Sequence, residues 1–260
     1  MTIAGVVLIV GMLVLLIAGV PIAISIGTAS LTSIFLLDRV SPLILVQKMF
    51  NAVDSFPLMA IPFFMMAGEL MLQGGLSRRL VNFVDTFFSY IRGSMAYISI
   101  ITCAFFGAIS GSALATTSAV GGVMYPEMMK RDYKDDFAAA VQAAGGTLGV
   151  LIPPSIPLVV YGVTANVSIG DLFIAVIGGG ILLTLLYVLV CYIIIHREGM
   201  VKNDVKVKFS MKKTVTAFKD AIWGLICPVI ILGGIYTGVF TPTESACVAT
   251  VYSLIVGIFF

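Results

Sequence analysis

The sequence predicts an all-α membrane protein, an inverted-repeat fold with a re-entrant helical hairpin and a broken transmembrane helix, and three observations lead there. Of 260 residues, 60% are apolar and only 11% charged, with a mean hydropathy of +1.12. A soluble domain keeps its surface wet with about 25% charged residues, so this chain cannot be solvated as a water-soluble globule. Its basic residues fall in clusters between apolar runs. Two of those runs are interrupted in the middle, one by small hydroxylic residues and the other by glycines and prolines. At about 20 residues per crossing the chain holds at most about ten spans, fewer once loops are subtracted.

Residues 2–37 are almost uninterruptedly apolar, too long for one crossing. Pro21 lacks an amide donor and clashes with the preceding turn, so Gly19-Val20-Pro21 should separate helices 2–19 and 21–37, the second ending at Asp38-Arg39. Residues 40–55, with Lys48 and Asp54, are mixed and expected along a surface; 56–73 is the next span, stopped by Gly74-Gly75. In 76–92 the residues Leu76, Leu80, Phe83, Val84, Phe87, Phe88 and Ile91 share one helical face, with Arg78, Arg79, Asp85 and Arg92 largely elsewhere. That pattern predicts an amphipathic helix lying on the membrane.

Segment 94–129 is apolar at both ends, but its middle reads Gly107-Ala108-Ile109-Ser110-Gly111-Ser112-Ala113-Leu114-Ala115-Thr116-Thr117-Ser118. Polar, helix-weak backbone at membrane depth is tolerated only where protein or a cavity surrounds it, which predicts two half-helices joined at a tip. Residues 137–165 are apolar but interrupted by Gly145-Gly146-Thr147-Leu148-Gly149 and Pro153-Pro154-Ser155. Glycine and proline at that density destabilise a continuous helix, so a broken helix is expected. A long span 172–195, a polar loop 196–220, a span 221–240 and a further apolar run 243–260 complete the chain.

Charge sets the sidedness. With the seven basic residues of 196–220 placed in the cytoplasm, counting back puts 130–136, 74–93 and the turn at Pro21 on the same side, which gathers 13 of the 15 Lys and Arg there. A single crossing for 94–129 would separate Arg78, Arg79 and Arg92 from Lys130, Arg131 and Lys134; a pair of full crossings would keep the same parity as the hairpin. The turn Ala18-Gly19-Val20-Pro21 has a weak echo in Thr237-Gly238-Val239-Phe240-Thr241-Pro242, on the opposite side by this count, as inverted repeats require. The second repeat would begin near 221, and its hairpin and broken helix are expected in a continuation beyond Phe260.

Other classes find no support. The basic residues form no aromatic, basic face for nucleic acid. Cys103, Cys191, Cys227 and Cys247 stand isolated in apolar runs, as small buried hydrophobes, with no implied disulfide or metal. The first 15 residues lack Lys and Arg, so the first apolar run is a retained span rather than a signal peptide. With a single His and no HExxH, Walker A or nucleophile-elbow motif, no enzyme reading stands; an intramembrane serine protease would need His196 to reach Ser110 or Ser112 from the cytoplasmic edge.

The runs Gly107-Ala108-Ile109-Ser110-Gly111-Ser112-Ala113, Met124-Tyr125-Pro126-Glu127-Met128, Gly145 through Ser155, and Thr241-Pro242-Thr243-Glu244 resemble the large membrane (M, DctM-like) subunit of tripartite ATP-independent periplasmic (TRAP) transporters. The likeness covers the whole chain, and family members are longer, as a second repeat requires. The resemblance implies a sodium-coupled secondary transporter in the bacterial inner membrane, importing an organic anion such as a dicarboxylate or a sugar acid by an elevator-type motion. It implies a periplasmic binding protein that delivers the substrate and a small four-helix membrane subunit as partners. No cofactor is expected beyond sodium as coupling ion. Under it, 1–93 would hold scaffold helices and an arm helix, 94–170 the transport-domain hairpin and broken helix, 171–220 the long span and basic loop, and 221–260 the first two helices of repeat two.

For the binding site, unwound backbone and hydroxyls offer oxygen ligands to a hard monovalent cation, and half-helix N-termini offer donors to a carboxylate. The candidates are Ser110, Gly111, Ser112 and Thr116 in the hairpin, with Gly145, Gly146, Thr147, Gly149, Pro153, Pro154 and Ser155 in the broken helix. The plainer alternative is close packing, which Gly107 and Gly111 would serve in any tight bundle. Glu69, Glu127 and Glu244 are weaker candidates, the last two near helix ends where caps can satisfy them. Trp223 is expected as an interface anchor, and the basic loop as an orienting charge rather than a site for anionic lipid. A non-transporting channel or scaffold subunit is the competing reading. The hairpin is tested by cysteine accessibility: positions 94–96 and 128–130 should label from the cytoplasmic side, while 110–113 stay unlabelled from the bulk periplasmic surface. Periplasmic labelling of 110–113, with both ends cytoplasmic, would establish two full crossings.

Overall fold

The computed structural model describes residues 3–37, 41–200 and 210–259, and every described element is helical. Asp38, Arg39 and part of the basic loop lie outside the described residues. The chain divides into two compact units, Met1–Ser55 and Phe56–Phe260, so the sequence-based boundaries at 93, 170 and 220 fall inside the second.

In the first unit α1 (Ile3–Ile17) and α2 (Ile22–Leu37) form an antiparallel pair. Gly19 turns the chain at φ +80°, a conformation that costs a residue with a Cβ, and Pro21 precedes the second helix. Ser33 Oγ donates to Ala4 O at 2.8 Å and fixes the pairing. The mixed segment 40–55, expected along a surface, contains a helix, α3 (Leu43–Val53), with no buried residue.

The second unit opens with a 3₁₀ turn, Phe56–Met59, running into α4 (Ala60–Gln73). Then come α5 (Leu76–Phe88), α6 (Ser94–Ser110), α7 (Ala113–Lys130), α8 (Asp135–Leu151), α9 (Ile156–Ala165), α10 (Ile169–Arg197), α11 (Met211–Tyr236) and α12 (Pro242–Phe259). Helix α6 is the centre: 13 of its 17 residues are buried, against α5, α7, α8 and α10. Helix α10 is the reverse, with 11% of its apolar window buried, as suits a helix facing lipid. Phe56–Gln73, α10, α11 and α12 are long and apolar enough to cross a membrane, and α8 with α9, bent by 41° at their break, is long and apolar enough only as a pair, a broken span or a re-entrant segment.

Helix α5 departs from expectation. Leu76, Leu80 and Val84 of its apolar stripe are buried against protein, chiefly α6 and α11, rather than laid in lipid. Only the edge of that stripe, at Phe87, is exposed. An amphipathic pattern reports that one face leaves water; whether lipid or protein receives it is a tertiary matter.

Contacts between distant segments gather the charged connections at one end. Arg92 Nη2 donates to Met200 O at 3.0 Å, and Lys134 Nζ pairs with Glu198 at 2.5 Å, which joins 92, 134 and 198–200. The charge count puts these segments on a common side. At 1.5 Å per residue α6 is about 26 Å long and α10 about 43 Å.

The turn between α11 and α12 matches the one between α1 and α2 beyond its motif. Gly238 adopts φ +70°, a proline again precedes or opens the second helix, and Ser245, Ala249 and Ser253 are buried as Ser25, Ala29 and Ser33 are. The two triplets share their spacing, a correspondence that the weak turn motif only hinted at. Helix α12 packs along α4, where Thr243 Oγ1 donates to Phe56 O at 2.9 Å and Thr250 Oγ1 to Phe63 O at 2.8 Å.

Candidate functional site

Helices α6 and α7 form the expected hairpin, joined through Gly111 and Ser112. Gly111 makes the turn at φ +63°, and a Cβ there would stand 2.8 Å from Pro154 O. Ser112 is extended and caps α7, its hydroxyl accepting from Ala115 N at 3.4 Å. The hydroxyls of Ser110 and Thr116, both buried, lie 3.0 Å apart.

The break between α8 and α9 covers Ile152 to Ser155 only. Pro153 and Pro154 have no N–H for the carbonyls of Gly149 and Val150, their partners in a continued helix. Ser155 Oγ donates to Val150 O at 2.6 Å and takes up one of the two. The Pro153–Pro154 bond is cis.

The glycine cluster corrects the sequence reading. Gly145, Gly146, Thr147 and Gly149 lie inside α8, which is regular through to Leu151. Their role is proximity. A Cβ on Gly149 would fall 2.4 Å from Thr116 Oγ1 and 2.6 Å from Ser112 O, and one on Gly146 1.7 Å from Thr117 Oγ1. Gly145 faces Cys103 Sγ at 2.8 Å by the same measure, and Gly107 of α6 faces Gly149 Cα at 2.8 Å. Glycine weakens a helix by about 1 kcal/mol against alanine, and here it admits the hairpin on that face of α8. A leucine at Gly145 or Gly146 would therefore disrupt helix packing, not coordination alone as an unwound segment would have implied.

The sequence candidates fall into three groups. Ser110, Gly111, Ser112, Thr116, Gly149, Pro153, Pro154 and Ser155 meet at the tip, where Ile156 N donates to Gly111 O at 3.1 Å across the two elements. Gly145 and Gly146 lie further along α8, against the body of the hairpin. Thr147 points elsewhere: its hydroxyl donates to Ala144 O at 2.7 Å and lies 3.0 Å from Tyr187 Oη of α10.

Four helix ends thus converge. The C-termini of α6 and α8 bring partial negative charge and carbonyl oxygens, while the N-termini of α7 and α9 bring partial positive charge and amide donors. A cavity of about 460 Å³ adjoins them, lined by Met65, Met66, Glu69, Phe106, Ser110 and Ser112 among others. Gly68 of α4 permits the approach there, its Cβ position lying 3.0 Å from Ser110 Cα. Among the described residues no group of three or more His, Cys, Asp or Glu could hold a metal, and the oxygen donors at the tip and its cavity are hydroxyls, carbonyls and the carboxylate of Glu69.

The three glutamates separate. Glu244 closes a capping box on α12, accepting from Thr241 N and Thr241 Oγ1 at 2.8 Å each while its own N–H donates to Thr241 Oγ1 at 3.3 Å. Glu127 pairs with Lys130 at 2.7 Å on the surface. Glu69 accepts from Gln73 Nε2 at 2.9 Å and alone of the three lines the cavity beside the tip. Sequence reasoning missed Gln142, buried in α8 with Ser99 Oγ donating to its Oε1 at 2.7 Å and its Nε2 3.3 Å from Met128 Sδ. An amide in an otherwise apolar helical run was the available signal.

This arrangement, a helical hairpin whose tip meets a broken helix inside an all-helical chain with several candidate membrane spans, is that of a multi-pass membrane protein. Residues 9–260 match the family model of the tripartite ATP-independent periplasmic transporter, DctM component, and the chain belongs to that family, whose members are transport components of the bacterial inner membrane and not enzymes. It is 46% identical over 244 residues to the isethionate TRAP transporter permease protein DctMQ of Oleidesulfovibrio alaskensis, covering 94% of this chain and 38% of that one. It is 41% identical over 255 residues to the C4-dicarboxylate TRAP transporter large permease protein DctM of Vibrio cholerae, covering 97% and 55%. To the sialic acid TRAP transporter large permease protein SiaM of the same organism it is 37% identical over 247 residues, covering 95% and 57%. The chain thus spans about half the length, or less, of these relatives.

The packing role of Gly149 is testable beside Gly178, which has no neighbour within 4 Å of its Cβ position. Gly149→Ala should lower thermal stability in detergent by about 1–3 kcal/mol through overpacking, and Gly178→Ala should leave it within about 0.5 kcal/mol or raise it. Equal melting of the two variants would show that the hairpin does not depend on this contact.

Proposed function

We propose that the chain is part of a sodium-coupled importer of an organic anion, a dicarboxylate or a sugar acid. A periplasmic binding protein delivers that anion, and a small four-helix membrane subunit braces the permease. The convergence of four helix ends at the tip carries this reading. Two helix C-termini with the hydroxyls of Ser110 and Thr116 suit a hard monovalent cation, and two N-termini suit a carboxylate, so both ligands are held without a buried basic side chain. Cation and anion are neighbours there, and each lowers the electrostatic cost of the other, which is the physical root of symport. Ser112 O, beside Gly149 and Thr116, and the carbonyl of Gly149 freed by Pro153 complete an oxygen-rich cluster on the cation side.

The names of these relatives span isethionate, C4-dicarboxylates and sialic acid, which share an anionic group and differ in the rest. A site that grips the charge with helix ends accommodates that range, and the continuation present in the longer relatives would supply the second half of the surface. Elevator-type movement of the hairpin and broken helix as one body is the transport step that fits their close packing, since the glycine contacts hold them together.

The test is uptake into proteoliposomes by the full-length permease with its small subunit and binding protein. An inward sodium gradient should drive accumulation and potassium should not. Ser110→Ala combined with Thr116→Ala should raise the sodium concentration for half-maximal uptake at least about tenfold, about 1.4 kcal/mol of binding, with insertion unchanged. Equal uptake in potassium would overturn the coupling and leave the channel or scaffold reading.

A further inference from the structure

The cavity beside the hairpin tip, about 460 Å³, is of the size that holds a small organic molecule. One wall is α4, through Met65, Met66 and Glu69, and the other is the hairpin, through Phe106, Ser110 and Ser112. Among the described residues that line it, Glu69 alone is charged and none is basic. We propose that Glu69 is the specificity-determining residue of the tip: the site takes a small monoanion that carries a hydroxyl or another hydrogen-bond donor, and refuses a second carboxylate. This rests on the anion site proposed above and names its substrate class.

The argument runs from one wall to the other. The amino end of α7, capped by Ser112, carries about half a positive charge and provides for one carboxylate. A ligand anchored there and filling the cavity has its far end against α4, where Met65, Met66 and Phe106 give adaptable apolar contact and Glu69 gives the one ionic group. The partner of Glu69 is a neutral one. Gln73 Nε2 donates to its Oε1 at 2.9 Å, and among the described residues nothing donates to Oε2.

An ionised carboxylate only accepts hydrogen bonds. A ligand hydroxyl or ammonium can donate to it, a methyl group gains nothing from it, and a second carboxylate has no proton to offer and brings a like charge. Across about 8 Å at an effective permittivity of about 20, that repulsion corresponds to about 30-fold in affinity, which salt reduces to about tenfold. No lining cation among the described residues offsets it.

The test uses the full-length permease, purified with its small subunit in sodium-containing detergent buffer at neutral pH. Its melting is followed against 4-hydroxybutyrate, succinate and butyrate, which share a four-carbon chain and one carboxylate and differ only at the far end. Half-maximal stabilisation should need at least about tenfold less 4-hydroxybutyrate than succinate, and at least about fivefold less than butyrate, the effect of one hydrogen bond to a charged acceptor. Glu69→Gln should bring succinate within about twofold of 4-hydroxybutyrate, while Glu69→Asp keeps the preference. Both variants should melt near the unmodified protein when no anion is present, because Glu69 is exposed. Succinate binding as tightly as 4-hydroxybutyrate in the unmodified protein, or a preference that survives Glu69→Gln, overturns the role of Glu69 and leaves the anion site standing. Loss of stabilisation by all three anions in Glu69→Gln, with a raised sodium requirement, would make Glu69 a cation ligand and overturns the role as well. If none of the three stabilises the unmodified protein in sodium, the anion site itself falls and this assignment with it.

Discussion

The close approach of α8 to the α6–α7 hairpin is the contact on which the rest depends. Gly107 and Gly149 meet almost backbone to backbone, and Gly146 receives Thr117 where any side chain would collide. Only at that separation does the tip reach the Pro-Pro break, so that Ile156 N can donate to Gly111 O. Had alanines stood in place of these glycines, each helix would gain intrinsic stability and the tip would be pushed off the break. Dispersion between tightly fitted surfaces is the main source of helix association in lipid, where burying apolar area brings little gain. The contact is therefore a source of stability as well as of geometry.

Polar groups inside the layer are handled by the same economy of means. Ser110 and Thr116 face each other, Ser155 occupies a carbonyl that proline left open, and Gln142 is met by Ser99 and Met128. Hydroxyls of α12 reach carbonyls at the start of α4, where the 3₁₀ turn interrupts the regular ladder. Each bond satisfies a group whose exposure to lipid would cost several kcal/mol by order of magnitude. The result is a core in which charge is carried by helix ends rather than by side chains, and the acids and bases concentrate at the end holding residues 92, 134 and 198.

Much of this was legible in the chain. The helix breaks at Pro21 and Gly74-Gly75, the hairpin turn at Ser110–Ser112 and the interruption at Pro153-Pro154 were all readable, because proline and glycine act locally through a missing donor or a positive φ. The same logic misled at Gly145–Gly149. Locally, that cluster weakens a helix; in the fold, contact with the hairpin outweighs the loss, and the helix continues. Helix α5 shows the complementary limit, its periodicity correct and its partner wrong. The burial of Ser25, Ala29 and Ser33 alongside that of Ser245, Ala249 and Ser253 was hidden because small residues at helical spacing are common in membrane helices and acquire meaning only when both triplets are seen buried.

The sequence alone determined that the chain is an all-helical membrane protein and where proline and glycine interrupt its apolar runs, at Pro21, Gly74-Gly75, Gly111 and Pro153-Pro154. These follow from composition and from backbone chemistry acting over a few residues. The tertiary structure decided which of the small residues are ligand candidates and which are contact surfaces, that Thr147 turns to Tyr187, and that Glu244 is a cap while Glu69 faces a cavity. Those outcomes turn on distances between segments far apart in the chain, and a glycine, a hydroxyl or a carboxylate carries no sequence mark of the neighbour it will meet.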